Sequence, residues 1–326
     1  MNYKFGIGVI SKNIVDACID FSNKNSYGFI FIPSRRQVDF NGGYVNNWTT
    51  KTLSEYVKNN TTNILLERDH GGPKQGDVED DGLLSLRNDC LYLHAIHIDP
   101  WKSINSFEDG CVATKNLIQY CFSINDKIIY EIGTEEAIFK YETFHLEKLL
   151  NYLKNNLDKN EFDNIKYVVI QCGTILKETR NIGNYNREKL KDMVSVCRKF
   201  NLISREHNGD YLSVSLIKEK FKNGLDSINI APEFGQIETR SYLQETKNTP
   251  LFEEFFNICY NSQKWKKWVD ESFNPFSNKE QLINICGHYI LSYPEFVIRI
   301  KNNIRLDIDE VIRHNIQRKL QQLYEC

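Results

Sequence analysis

Short apolar runs, each closed by a polar cluster and followed by a longer stretch of mixed positions, repeat through residues 1–248. Eight stand out: Phe5–Val9, Phe29–Ile32, Asn63–Leu66, Leu91–Ile98, Ile128–Gly133, Tyr167–Gln171, Leu202–Arg205 and Ser227–Ala231. Runs that are apolar at nearly every position mark parallel strands buried on both faces, because a half-exposed strand would alternate. Between them, Lys51–Asn59, Glu147–Asn156, Arg187–Phe200 and Val214–Asn223 carry apolar residues at helical spacing. Eight strand–helix units predict a (β/α)8 TIM barrel over 1–248. A doubly wound open sheet is the structural alternative, but no GxGxxG phosphate turn follows the first run. Over 249–326 the strand signal stops. Leu251–Tyr260, Gln263–Val269, Lys279–Leu291, Pro294–Asn303 and Ile308–Leu323 read as helices, with no low-complexity linker before them. They predict a helical C-terminal extension packed on the barrel rather than an independent domain.

Composition narrows the function classes. The hydrophobic content of 41% is enough for one large core. A net charge of −2 argues against a nucleic-acid groove or a basic membrane-seeking face. No stretch approaches about 18 uninterrupted apolar residues, so no membrane span is expected. The first residues lack a positive segment followed by a long apolar run, so a cytoplasmic protein without a secretory leader is expected. Nine scattered cysteines without a CxxC pair are expected to be reduced core residues.

In a TIM barrel the polar residues just past the strand C-termini converge on one mouth. After the second run come Arg35, Arg36 and Gln37; after the third, Asp69 and His70 on a polar loop. His97 and Asp99 close the fourth run, Glu131 lies in the fifth, and Glu135 follows it. Gln171 ends the sixth run, with Glu178 and Arg180 beyond; His207, Asn208 and Asp210 follow the seventh, and Glu233 the eighth. Four of the seven histidines, His70, His94, His97 and His207, lie in or beside these segments. Mixed nitrogen and oxygen donors suit a divalent cation, zinc being the expected ion. The chemistry that calls for such a set is metal-stabilised enediolate formation on a ketose, with a carboxylate moving a proton. Asp69 and Glu135 are the candidate proton carriers. His70 and His207 are candidate metal ligands, with a carboxylate from Glu131, Glu135 or Glu178. Gln37, Arg35, Arg36, His97, Asp99, Gln171, Arg180, Asn208, Asp210 and Glu233 are candidate substrate contacts.

Each assignment has a plainer counterpart. Asp69 could cap a helix. His97 and Asp99 could pair as support with no direct role. Arg35 and Arg36 could be a solvated pair or could grip an anion. His94, three positions from His97, points to the other strand face and is expected to pack. His145, His288 and His314 are expected to be surface or packing residues.

Several segments in order resemble one family. Gln37-Val38 with Gly42-Gly43-Tyr44, Asp69-His70-Gly71-Gly72-Pro73, His97-Ile98-Asp99, Ile132-Gly133-Thr134-Glu135, Gln171-Cys172-Gly173, Glu206-His207-Asn208-Gly209-Asp210-Tyr211 and Ile230-Ala231-Pro232 carry the likeness. In the tail, Gln263-Lys264-Trp265 and Tyr289-Ile290-Leu291-Ser292-Tyr293-Pro294 continue it. The chain resembles the non-catalytic-subunit family of class II D-tagatose-1,6-bisphosphate aldolase and its related ketose 4-epimerases. The resemblance implies that Asp69 handles a C4 hydroxyl proton and that His70 and His207 bind zinc. It also implies a third histidine near the sixth run, where this chain has none; Glu178, Glu131 or Glu135 could replace it. The family's phosphate site uses small hydroxyl residues after the eighth run, whereas Glu233-Phe234 stand here and disfavour a phosphate there.

These readings converge on an aldolase-type enzyme acting at C3–C4 of a ketose or ketose phosphate, or a C4 epimerase using the same residues. A non-catalytic subunit stabilising a separate aldolase is the alternative, and a metal-free sugar-binding barrel is a third. The expected partners are a small sugar or sugar phosphate, with a homo-oligomer or an aldolase partner subunit possible.

Overall fold

The computed structural model describes residues 3–304 and 306–326. Eight parallel strands close into a barrel: Phe5–Ile7, Phe29–Phe31, Ile64–Gly71, Ala95–Ile98, Ile129–Ile132, Ile165–Ile170, Ile203–Glu206 and Ser227–Ile230. Neighbours in sequence are neighbours in the sheet, and the first strand pairs with the eighth. The intervening helices start where a side chain satisfies the open backbone donors. Ser11, Thr49, Ser106, Asn186 and Ser213 each accept a backbone N–H from the first helical turn. A short antiparallel hairpin, Leu176–Lys177 with Arg180–Asn181, follows the sixth barrel strand.

Two expectations shift in detail. The run Leu91–Ile98 divides: Leu91 and Tyr92 finish the helix Leu83–Tyr92, and only Ala95–Ile98 is strand. Short apolar runs do not distinguish a buried helix end from a strand. The third strand is longer than its apolar run, reaching Gly71, so Asp69 and His70 stand on a strand and not on a loop.

Inside the barrel, residues two apart share a face and build layers. Leu65, Ile129 and Ile203 pack with Ile30, Ile32 and Tyr167 as an apolar plug. Two residues further along the same strands stand Glu67, Glu131 and Arg205, all fully buried. The Arg205 guanidinium lies 2.6 Å from Glu67, 3.0 Å from Glu131 and 3.8 Å from the centre of the Tyr167 ring. One more step reaches Asp69 and His207 at the mouth.

The helical extension shares one continuous core with the barrel, with Phe255, Leu282 and Ile312 in the same cluster as Phe5 and Ile96. Its helices Lys279–Ile290 and Ile308–Tyr324 pack on the last barrel helix, Pro232–Thr246. Over Gln263–Val269 the chain forms only the short 3-10 turn Lys266–Trp268. All nine cysteines are unpaired, and all but Cys326 are buried. Among the described residues, no helix is long and apolar enough to cross a membrane.

Candidate metal centre

The third strand ends in a bulge. Arg68 pairs with Ile96 and Gly71 with Ile98, so three steps on one strand face two on the other. His70 sits there in the left-handed region, at φ +51°. Regular alternation would send Asp69 and His70 to opposite faces. The extra residue lets both face the mouth, a known use of bulges.

Across from them stand His97, on the fourth strand, and His207, just past the seventh. One ligand atom each from Asp69, His70, His97 and His207 all lie within 4.8 Å of one another. Each imidazole has one nitrogen engaged by an oxygen and the other near Asp69. His70 Nδ1 is 2.5 Å from Asp99 Oδ2, and its Nε2 is 3.7 Å from Asp69 Oδ1. His97 Nε2 is 3.0 Å from the Gly133 carbonyl, and its Nδ1 is 3.9 Å from Asp69 Oδ1. His207 Nε2 is 3.4 Å from Glu131 Oε1, and its Nδ1 is 4.0 Å from Asp69 Oδ1. Oxygen acceptors at the outer nitrogens favour the tautomers that turn lone pairs to the centre, as in metal-bound histidines, although the His97 Nδ1 lone pair also accepts the His70 backbone N–H at 3.3 Å. The donor set fits a divalent cation.

The electrostatics agree. Burial works to raise Asp69, but His70, His97 and His207 outweigh it and hold its carboxyl down to about 2. Burial disfavours charge on His70 and His97, yet the carboxylates around them push both upward. This pocket of carboxylates draws positive charge. Beneath it, burial opposes charge on both Glu67 and Glu131. Arg205 and His207 overcome that for Glu131, which stays ionised, while Glu67 is pushed upward.

No protein-family model matches the sequence, and no curated protein matches it. Solved structures do match in fold. A probable tagatose 6 phosphate kinase from Sinorhizobium meliloti 1021 superposes with a TM-score of 0.77, at 12% identity and over 99% of both chains. The YdjI aldolase from Escherichia coli K12 gives 0.55 at 13% identity, over 92% of this chain and 90% of its own. The fructose-bisphosphate aldolase of Campylobacter jejuni gives 0.57 at 14% identity, over 99% and 90%. The chain shares with these structures the closed (β/α)8 barrel fold. The resemblance read from the sequence motifs is thus matched at the level of architecture.

A cavity of roughly 600 Å³ opens above the cluster and is lined by Asp69, His70, Gln37, Arg36, Glu135 and Asn208, among others. Asn208 donates its side-chain amide to Glu135. Six of the expected site residues therefore share one space, with His207 and His97 buried beneath it.

The remaining candidates are placed elsewhere, each for a physical reason. His97, expected as a substrate contact paired with Asp99, instead joins the ligand cluster, and Asp99 partners His70. Glu131, expected as a ligand, backs His207 from below. Glu178, the other expected ligand, sits at the hairpin turn, where its carboxylate accepts a hydrogen bond from Gln281 at 2.6 Å. Arg35 is 4% exposed and held by Asp39 and Asp80 at 2.9 and 2.7 Å. Arg180 is exposed beside Glu178 at 3.5 Å. The Gln171 amide bonds the backbone of Thr134, Phe139 and Tyr141. Asp210 accepts the backbone N–H groups of Ala231 and Glu233, and Glu233 pairs with Lys319 at 2.6 Å. His288, expected to pack or lie on the surface, is indeed buried, at 5% exposure. It lines the cavity from the extension, and nothing in the helical spacing around it distinguishes it from a core residue.

Proposed function

We propose that this chain is a metal-dependent enzyme of aldolase type, making or breaking the C3–C4 bond of a ketose or ketose phosphate. The observation that carries the reading is the group of three imidazoles, each anchored at one nitrogen by an oxygen and turned at the other toward Asp69. His70, His97 and His207 would hold the cation, which would polarise the substrate carbonyl. Zinc suits three nitrogens with one open position. Asp69, held ionised, takes the proton from the C4 hydroxyl. The C3–C4 bond then breaks, its electron pair passes toward C3 and the adjacent carbonyl, and the C4 fragment leaves as an aldehyde. Glu135, beside Asn208 on the cavity wall and starting as the carboxylic acid, gives its proton to C3; it regains one from solvent, and Asp69 releases the C4 hydroxyl proton to solvent, which closes the cycle. Recapture of the aldehyde on its other face would make the same residues a C4 epimerase. The test is a product screen of the purified chain against ketoses and ketose phosphates. Cleavage or C4 inversion that Glu135→Gln slows is expected. A metal-loaded, folded protein inert toward all of them would favour the non-catalytic subunit.

A further inference from the structure

The cavity has a second polar wall that the proposed chemistry leaves unused. Lys267 and Trp268, from the turn Lys266–Trp268, and His288 and Tyr289, from the helix Lys279–Ile290, bring the C-terminal extension to the barrel mouth. Arg36 and Lys102 line the same cavity from the barrel loops. Lys267 Nζ lies 4.7 Å from the centre of the Trp268 ring and 5.4 Å from that of Tyr289. Lys102 Nζ donates to the Lys74 carbonyl at 2.7 Å. Neither lysine makes an ion pair among the described residues. Arg36 has an exposed ion pair with Asp77 at 3.2 Å and donates to the Gly76 carbonyl at 3.4 Å.

Three cations, the two lysines exposed, thus stand on one side of a cavity whose carboxylates, Asp69 and Glu135, line its floor. Lys102 is lowered by burial and then by Arg36 and Lys267. Beside them, two buried polar atoms have no partner: Nδ1 of His288, a residue only 5% exposed, and Nε1 of Trp268. Burial, followed by Lys267 and Lys264, pushes His288 down to about 3, so its ring is neutral and can both donate and accept. Orphaned polar groups of this kind at a cavity wall call for a ligand.

We propose that Arg36, Lys102 and Lys267 form an anion subsite through which the C-terminal extension binds the charged group of a sugar substrate, with His288 and Trp268 meeting its hydroxyls. The charged group is a phosphate ester or a carboxylate. The inference rests on the reading of this cavity as the substrate site. It places the anion away from the start of the last barrel helix, where Glu233 is tied to Lys319. It also gives the extension a role in substrate choice.

The test is calorimetric titration of the full chain, as purified and at constant ionic strength, with inorganic phosphate and separately with D-gluconate. Lys267→Met and Lys102→Met are compared with Arg180→Met. At least one anion should bind wild type and Arg180→Met alike, and binding should weaken roughly tenfold or more in the two cavity variants. Preference for phosphate would indicate a phosphate ester, and preference for gluconate a carboxylate. Metal content measured on the same samples should not change. Absence of binding by both anions, or binding indifferent to Lys267, overturns the subsite. Lys267-dependent binding in a protein that holds no metal would leave the subsite standing and remove the metal reading instead.

Discussion

Two sectors of the barrel mouth end in polar residues and use them differently. In the sector of the third, fourth and seventh strands, each imidazole presents a nitrogen to Asp69 at 3.7–4.0 Å. At the ends of the sixth and eighth strands, and at Asp210 further along the loop after the seventh, the polar atoms are taken up by the fold. Gln171 serves three backbone groups, Asp210 two, and Glu233 the Tyr211 N–H and Lys319. Position at a strand end is therefore not enough to mark a functional residue. What separates the sectors is whether the partners of a polar group already lie within the chain.

Substitutions should divide along that line. The largest effect belongs to the ligand sector. His70→Ala or His97→Ala should lose the bound cation and reduce turnover to background while the protein stays folded, checked by elemental analysis and circular dichroism. Retained activity in either would move the centre elsewhere. Asp69→Asn comes next: the cation stays and kcat falls by roughly 10²–10⁴, the range for a lost proton carrier. A mutant within a few-fold of wild type would make Asp69 a structural residue of the bulge. Asp99→Asn weakens the anchor on His70 and should reduce metal affinity by about 10–100-fold, read by competition with a chelator.

The structural sector should respond in stability. Burial, then Glu233, raises Asp210 from its ordinary 3.8 to about 7. A raised carboxyl contributes stability that is fully present below its unfolded value and is lost as pH rises through the folded one. Wild type should thus lose stability between about pH 4 and 7, and Asp210→Asn should flatten that slope in denaturant titrations without changing kcat. An unchanged slope would assign the proton to another group. The smallest effect is expected of Arg180→Glu. Its side chain is exposed and weakly paired, so KM should stay within a factor of about two.

Much of the architecture could be read from the chain, since eight apolar runs dictate eight buried strands. Part of the site could be read as well: Asp69, His70 and His207 stand out as polar residues closing apolar runs. The third imidazole, His97, reads from the sequence as a substrate contact and not as a ligand. His97 lies near the end of a run whose first two residues are helix, and its neighbour Asp99 suggested a self-contained pair. The bulge that turns both Asp69 and His70 inward leaves no mark in the residue types, because its conformation depends on pairing with the fourth strand. The period of two did hold the layers: Leu65-Glu67-Asp69 and Ile203-Arg205-His207 step from apolar plug to ionic layer to mouth. That signal would have placed Glu131 below His207 rather than beside a cation. Arg35 and Arg36 are neighbours with opposite fates, decided by Asp80, forty-five positions from Arg35, which closes on one and not on the other.

The central claim is that His70, His97 and His207 together hold one divalent cation. Its most direct test is metal stoichiometry by mass spectrometry on the purified chain and on His97→Ala, each dialysed after exposure to zinc. One ion per chain in wild type and essentially none in the variant is the predicted result. A wild-type chain without metal, or a variant that keeps a full equivalent, would contradict it.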